Sequence, residues 1–357
     1  MKLGARIFKT GIAIVLALVL GQLLNVPSPV FAGIAAIFAV QPTIYRSYLS
    51  VLEQIQGNLI GAIVAVAVVL TFGNHVIFIG LAAIIIIIIN LKLKLEKTIS
   101  LSLVTLIVIM ESPSGGFIEF ASVRFLTIML GVFSAFVVNL IFLPPKYERK
   151  LFDQLSEITG EILKWIRLCS RKGIEHQSLK VNVDKKKEHL AKIEHLYGMF
   201  KEESPRFRKK SLANQRKLVV YRQMLSTTRS AFHILKRFYR FENEWHHVPE
   251  YFCQTVQHQL DHLTNIHEQI LLRLSENIKT PLQTSEEYLL NRKELLDLFT
   301  EYQNNKCNND DLHLYHLMHI ISAITEYSEH LEHLDILINS YQSFHQDERK
   351  SKGEYQE

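Results

Sequence analysis

The first 144 residues carry only twelve Asp, Glu, Lys or Arg side chains, whereas the chain after Pro145 is polar and densely charged. A stretch so poor in charge can form a stable structure only where apolar surface meets lipid or a large core. The 357 residues leave room for two domains, one on either side of this boundary. Six apolar segments divide the first part: Ile7–Leu24, Val30–Val40, Ile55–Phe72, Val76–Leu91, Ile99–Met110 and Ala121–Leu143. As a helix, Ile7–Leu24 measures about 27 Å, close to the thickness of a bilayer core. Val30–Val40 and Ile99–Met110 are short. Pro29 and Pro42 bracket the first, and Pro113 with Gly115–Gly116 ends the second. Pro144–Pro145 stops the last segment, since proline cannot continue a helix. The expected fold is all-α: a six-helix transmembrane domain over 1–144, a cytoplasmic helical bundle over 145–345 and a disordered tail over 346–357.

The segments contain an internal echo. Gln54, Gly57, Gly61 and Ala65 lie on one helical stripe, and Arg124, Thr127, Gly131 and Ala135 repeat it 70 positions later. Gln41–Pro42 stands opposite Glu111–Ser112–Pro113 at the same offset, and both copies run into apolar tails, Ile63–Phe72 and Val132–Leu143. Repeated patterns within apolar segments point to a membrane protein built from two related halves of three helices each.

Loop charges give the orientation. With the amino terminus inside, the inner ends hold Lys2, Arg6, Lys9, Arg46, Lys92, Lys94, Lys97, Lys146, Arg149 and Lys150. The outer loops Asn25–Ser28, Gly73–His75 and Glu111–Phe120 hold no Lys or Arg. This bias follows the positive-inside rule and places the polar half in the cytoplasm of an inner-membrane protein. With three spans per half, the second half is inverted relative to the first. Val30–Phe31–Ala32 imitates a signal-peptidase site, but further spans follow at once, so the first segment is expected to be retained. The small positive net charge gives no case for a nucleic-acid partner. Cys169, Cys253 and Cys307 all lie in the polar half without Cys-x-x-Cys spacing, as suits reduced thiols in helices.

The polar half reads as helices throughout. Tyr147–Arg171 is amphipathic, a second segment ends near Phe200, and Ser204–Pro205 opens a third through about Tyr239. Val248–Ile278, closed by Pro281, is followed by Ser285–Tyr302 and Asp310–Phe344, with Asn304–Asn305 and Asn308–Asn309 at the turn between these last two. Strand-type alternation is absent, so a helical bundle is expected.

Arg124 is the most informative charge. It sits four residues into an apolar segment, where a cation is costly unless it faces water, a partner or an anion. Guanidinium matches a carboxylate in a two-pronged geometry. The bland alternative is an arginine reaching out to the headgroups. Glu111 and Glu119 are candidate proton-coupling carboxylates or Arg124 partners, with Glu111 preferred and Glu119 read as a solvated loop residue. Glu53 lies near Arg46 at the inner entrance of the third segment. Gln54 and Asn58 are polar on the entry turn and can bond a substrate or a neighbouring helix. Gly57-x-x-x-Gly61 argues for close helix packing, as does Gly131. The short second and fifth segments hold corresponding places in the two halves, which marks a binding site in transporters.

Fifteen of the sixteen histidines fall in the polar half. His258 and His262 share a helix face, His313, His316 and His319 follow a three-residue rhythm, and His330 and His333 lie beyond them. Asp261, Glu268 and Glu326 are near in sequence, yet no metal motif emerges, and solvated helix faces are the expected setting. No phosphate loop, nucleotide fingerprint or Ser/His/Asp set stands out. No enzyme, metal or cofactor is expected.

Residues 1–144 resemble the membrane domain of the bacterial aromatic acid exporter family, related to fusaric-acid resistance proteins and more distantly to plant malate channels. The resemblance rests on Gln41–Pro42–Thr43, Gln54-x-x-Gly57-x-x-x-Gly61 and Arg124-x-x-Thr127-x-x-x-Gly131 ahead of the terminal Pro-Pro. The polar half resembles the cytoplasmic helical domain of one Gram-positive-type branch. The resemblance implies a six-helix unit that pairs with a second one, here a homodimer in the lipid bilayer, and efflux of aromatic carboxylates. Gln54 stands where relatives often have arginine, so a two-arginine anion site is not expected. The expected function is secondary export of small organic anions, with Arg124, Gln54, Asn58, Thr127 and Gln41 at the substrate and Glu111 coupling protons. Rival readings are a passive anion channel and a membrane-anchored sensor or scaffold that works through the histidine-rich bundle.

Overall fold

The computed structural model describes residues 3–111, 117–141, 147–172, 176–203, 212–276, 285–305 and 311–353. Among them every regular element is helical. The chain divides into two compact units, Met1–Pro145 and Lys146–Glu357. Several sequence landmarks lie outside the described residues: Pro113 with Gly115–Gly116, Pro144–Pro145, Ser204–Pro205, Pro281 and Asn308–Asn309.

The first unit contains α1 (Leu3–Leu23), α2 (Val30–Ala39), α3 (Ile44–Phe72), α4 (Val76–Lys92), α5 (Ile99–Met110) and α6 (Phe117–Ile141). Tyr45–Phe72 and Ile118–Ile141 are long and apolar enough to cross a membrane. At the usual helical rise α2 and α5 are only about 15 and 18 Å long. Large apolar side chains such as Ile7, Val76, Ile77, Leu126 and Ile141 are mostly exposed. One core of the unit is built mainly from small residues, with Ala13, Ala17, Ala32, Ala36, Ala39 and Ala135 fully buried, and a second buries Ile86, Leu106, Ile109 and Met110. Large apolar side chains on the outside and small residues at the α1, α2 and α6 contacts suit helices that pack closely in lipid.

Two backbone contacts set the packing of this unit. A Cβ on Gly61 of α3 would stand 2.5 Å from the Ser102 carbonyl oxygen of α5. A Cβ on Gly131 of α6 would collide with the Ala32 carbonyl of α2, whose carbon lies 2.7 Å and Cα 2.8 Å from that position. Gly131 follows Gly61 by 70 positions, and Ser102 follows Ala32 by the same 70. Farther along, Asn139 Nδ2 of α6 donates to the Gln41 carbonyl at 2.9 Å, just beyond α2, so α2 and α6 run parallel. Gly57 meets Thr98 and Leu101 while Gly61 meets Ser102 and Thr105, so α3 and α5 run parallel too.

α3 begins eleven positions before the expected Ile55, with the Thr43 hydroxyl accepting the Arg46 N–H at 3.1 Å as its cap. The added turns are polar for a reason. Ser47 Oγ donates to Ala39 O at 3.3 Å and Ser50 Oγ to Phe38 O at 3.4 Å. These are final carbonyls of the short helix α2, which have no partner within that helix. Asn90, Thr98 and Ser102 form a second polar knot where α4 turns into α5: Thr98 Oγ1 donates to Asn90 Oδ1 at 2.6 Å, and Asn90 Nδ2 reaches Ser102 Oγ at 3.4 Å.

The second unit contains α7 (Tyr147–Ser170), α8 (His176–Glu203), α9 (Leu212–Arg240), the short α10 (Glu242–His246), α11 (Glu250–Glu276), α12 (Ser285–Asn305) and α13 (Asp311–Gly353). α13 runs to Gly353, so the tail expected to be disordered over 346–357 is helical through residue 353. α7, α8 and α9 pack together, as do α11, α12 and α13, and α9 against α13 and α7 against α11 join the two triplets. Here the core is large: Trp245, Tyr288, Tyr327, Phe238 and Phe252 are fully buried. The seams are pinned by polar side chains. Arg167 of α7 donates to Thr264, Glu268 and Asn265 of α11 at 2.9–3.0 Å. Arg273 of α11 and Asp335 of α13 form an ion pair buried to about one part in twenty exposed.

His267 is fully buried in α11, with Nδ1 2.9 Å from the Tyr327 hydroxyl of α13. Burial pushes its imidazole down to about 3. An unfolded chain binds that proton near its ordinary pKa of 6.5. Between these values the unfolded state holds a proton that the folded state does not. The neutral imidazole's contribution to stability is therefore whole above pH 6.5 and declines as pH falls toward 3.

Two outcomes follow from this packing. Gly131→Ala should lower the melting temperature of the full-length protein in detergent more than Gly61→Ala, each by an overpacking cost of about 1–3 kcal/mol. Gly80→Ala, with no atom within 4 Å of its Cβ position, should be neutral or slightly stabilising. Equal melting of all three variants would contradict the close-contact account. In the second unit, His267→Gln keeps a hydrogen-bonding group beside Tyr327 and should flatten the loss of stability below pH 6.5. Trp165 and Trp245 both lie in that unit, so tryptophan fluorescence on heating reads the effect, and an unchanged pH slope refutes it.

Candidate functional site

The parallel run of α2 and α6 brings the start of α2 beside the first turns of α6. Arg124 of α6 is only 5% exposed there. Its Cζ stands 3.6 Å from the ring centroid of the half-buried Phe31, in the first turn of α2. Its Nε and Nη1 are buried and meet no hydrogen-bond acceptor among the described residues. A stacked ring covers one face of a guanidinium and leaves its in-plane N–H groups unused. The site is therefore a buried cation with donors unspent, and the neighbouring core of α1, α2 and α6 is rich in alanine.

The other sequence candidates separate into distinct places. Thr127, one turn from Arg124, is buried and donates to the Val123 carbonyl of its own helix at 2.8 Å. Gln54, the counterpart of Arg124 in the first half, is buried on α3; its Nε2 lies 3.5 Å from the Ala35 carbonyl of α2, and its Oε1 has no donor. Asn58 is engaged at both amide atoms, giving Nδ2 to the Gln54 carbonyl at 2.8 Å and accepting from Thr105 Oγ1 of α5 at 2.5 Å. Gln41 is half-buried at the far end of α2, with Nε2 3.3 Å from Phe38 O. Glu111 and Glu119 are exposed, Glu111 at the end of α5. Glu53 and Arg46 are half-buried on α3.

Sequence reasoning missed Phe31, Thr105 and Asn139. Phe31 looks like any aromatic residue in an apolar run. Asn139, by contrast, is a polar side chain in an apolar tail, and that alone signals a partner. Its Nδ2 is bonded to the Gln41 carbonyl while its Oδ1 is buried without a donor.

Several histidines of the second unit, His267, His316 and His319 among them, serve as packing groups. Phe241 is stacked by His316 at 4.5 Å and by His319 at 5.7 Å between centroids, and Tyr315 meets His319 edge-on at 4.6 Å. His316 Nδ1 lies 2.9 Å from Glu244 Oε1. Burial first, and then the charges of Arg237 and Arg240, push His319 down. His258 and His333 are exposed, while His262 is half-buried and lowered by burial and by His258. His330 accepts at its backbone carbonyl from Thr227 at 3.1 Å. Among the described residues no group of three or more His, Cys, Asp or Glu side chains is placed to hold a metal ion. Cys169 and Cys253 are buried and unbridged.

Comparison with known proteins matches both parts of the chain. Residues 1–142 match the model of aromatic acid exporter family member 1, and residues 99–335 match that of the fusaric acid resistance protein family. UPF0421 protein YgaE of Bacillus subtilis (strain 168) is 48% identical over 345 residues, 97% of each chain. UPF0421 protein OB2406 of Oceanobacillus iheyensis is 27% identical over 165 residues, 46% of this chain and 47% of the relative. A UPF0421 protein of Staphylococcus epidermidis (strain ATCC 12228) is 32% identical over 155 residues, 43% of this chain and 47% of the relative. Apolar helices with a buried, unspent cation and matches that together run from residue 1 to residue 335 lead to one conclusion: the chain belongs to the aromatic acid exporter and fusaric acid resistance family.

Proposed function

We propose that this protein is a secondary exporter of small organic, chiefly aromatic, carboxylates, and that Arg124 binds the carboxylate. The observation that carries this reading is the guanidinium itself: nineteen-twentieths buried in an apolar unit, with Nε and Nη1 lacking any acceptor. A buried donor without a partner is costly, and an anion that supplies two oxygens removes that cost. The family names agree with this chemistry, since aromatic acids and fusaric acid carry carboxylates at neutral pH. Transport, and not catalysis, is the role that follows.

The proposed frame is a six-span unit with an inverted three-helix repeat, and it draws support from how the helices pair. Exchanging the two halves turns the parallel pair α2/α6 into the parallel pair α5/α3, and it turns the Gly131–Ala32 contact into Gly61–Ser102. In that frame α2 and α5 are the short helices at corresponding places, as binding sites in repeat-built carriers require. The amino terminus and the second unit face the cytoplasm of the cell membrane, in keeping with the loop charges. Two chains pair to complete the carrier. Gln54 Oε1 is a second unspent polar atom for substrate, Thr127 and Gln41 line the approach, and Glu111 at the end of α5 takes up the coupling proton. Asn58 holds α3 to α5.

The test is movement of benzoate in proteoliposomes holding the purified full-length protein, with and without a pH gradient. Wild-type protein should move benzoate against its concentration gradient when a pH gradient is imposed. Arg124→Gln should reduce the rate at least about 10-fold, the loss of one charge-assisted pair. Arg124→Lys should keep part of the activity, because charge survives and the fork does not. Full transport by well-folded Arg124→Gln would remove Arg124 from the mechanism, and passive flux that never accumulates benzoate would make the protein a channel.

A further inference from the structure

We propose that Phe31 is a specificity-determining residue of the anion site: it fixes the plane of the Arg124 guanidinium and supplies the aromatic wall that favours a ring-bearing carboxylate. This rests on the carboxylate-transport reading above and adds to it the group that reads the rest of the molecule. The argument begins with how Arg124 is held. It forms no ion pair or hydrogen bond through Nε or Nη1, yet it is 95% buried. Its contact with Phe31, 3.6 Å from Cζ to the ring centroid, is a face contact. A face contact restrains the guanidinium without using a single N–H. The N–H groups at Nε and Nη1 stay unspent in the guanidinium plane, which is where a carboxylate binds.

Phe31 is positioned to do this by backbone, not by chance. It lies in the first turn of α2, directly before Ala32, whose carbonyl abuts Gly131 of α6. The close approach at Gly131 fixes the height of Phe31 against α6 to within the length of one side chain. Arg124 stands two turns earlier on the same α6 face, level with the start of the parallel helix α2. The helix after Phe31 is small on its buried side, with Ala32, Gly33, Ala35 and Ala36. Phe31 is thus the aromatic group that the structure sets on Arg124.

A carboxylate held in the guanidinium plane carries its substituent to the rim of that plane, next to the Phe31 ring. An aromatic substituent gains an offset or edge contact there that a saturated ring of the same size does not. The guanidinium reads charge, and Phe31 reads the flat ring.

The experiment compares benzoate with cyclohexanecarboxylate, two carboxylates of similar size that differ in ring aromaticity. Binding is measured by calorimetry on purified full-length protein in detergent, for wild type, Phe31→Leu, Phe31→Tyr and Arg124→Gln, with folding of each checked by size exclusion. Wild-type protein should prefer benzoate. Phe31→Leu should weaken benzoate by about 3- to 10-fold while changing cyclohexanecarboxylate less than about 2-fold. Phe31→Tyr should restore the preference. Equal weakening of both ligands, or of neither, overturns the assignment of Phe31 and leaves the carboxylate reading standing if Arg124→Gln abolishes binding of both. Unchanged binding in Arg124→Gln, or no binding of either ligand to wild-type protein, overturns both. If Phe31→Leu fails to fold, the Phe31→Tyr and wild-type preferences decide: loss of preference in a folded Tyr variant, or no preference in wild type, refutes the ring-reading role.

Discussion

The first unit depends on the contact between the α6 backbone at Gly131 and the Ala32 carbonyl. No side chain can stand between them. Apolar helices surrounded by lipid gain nothing from expelling water, so close backbone approach and dispersion must hold them. The contact at Gly131 also sets the register of α2 along α6. Everything else at this side inherits that register: Asn139 against the Gln41 carbonyl at one end of α2, and Arg124 against Phe31 at the other. The contact of Gly61 with the Ser102 carbonyl does the same service for α3 and α5. Short helices are well suited to such packing because their ends can be bonded from outside. Ser47 and Ser50 reach the last carbonyls of α2, and Thr98 ties the start of α5 to Asn90.

The two units solve the burial problem in opposite ways. The second unit gathers its aromatic and branched side chains inside and sets charged residues at the seams, as a water-exposed bundle must. Its histidines are drawn into this scheme. His267 is neutral in the core, and His316 and His319 stack on Phe241. A run of histidines that looks like a ligand set in one dimension is thus spent on packing in three. The residue spacing allowed either outcome, because a three-residue rhythm brings side chains to neighbouring faces whatever they bind.

Much of the framework was legible because it rests on punctuation and on period. Prolines and glycines bracket α2 and α5, and the bounds of α5 match the expected Ile99–Met110. The 70-residue echo already paired Gly61 with Gly131, although it could not reveal that each glycine faces a carbonyl of the other half. What escaped was whatever depends on a partner distant in the chain. The early turns of α3 are polar, so an apolar run could not include them; only the exposed carbonyls of α2 explain why serines are useful there. Asn58 read equally well as a substrate contact or a helix contact, and its bond to Thr105 draws on a residue 47 positions away. Phe31 carried no signal, since its meaning lies in Arg124 nearly a hundred positions later.

The candidate site lies where the sequence echo breaks. Gln54 and Arg124 are counterparts, yet the amide is placed against the Ala35 carbonyl while the guanidinium is given a ring and no acceptor. Asn58 and Thr105 bond α3 to α5, but their counterparts are Ile128 and Ala35, which can form no such bond. The α3/α5 side is therefore held by a buried hydrogen bond in addition to its backbone contact. At the matching level the α2/α6 side has only apolar packing. The two contacts share a backbone scheme and differ in their polar groups. A strict echo would give two equal sides; here Asn58 and Thr105 tie α3 to α5, while Arg124 beside α2 keeps Nε and Nη1 without an acceptor among the described residues.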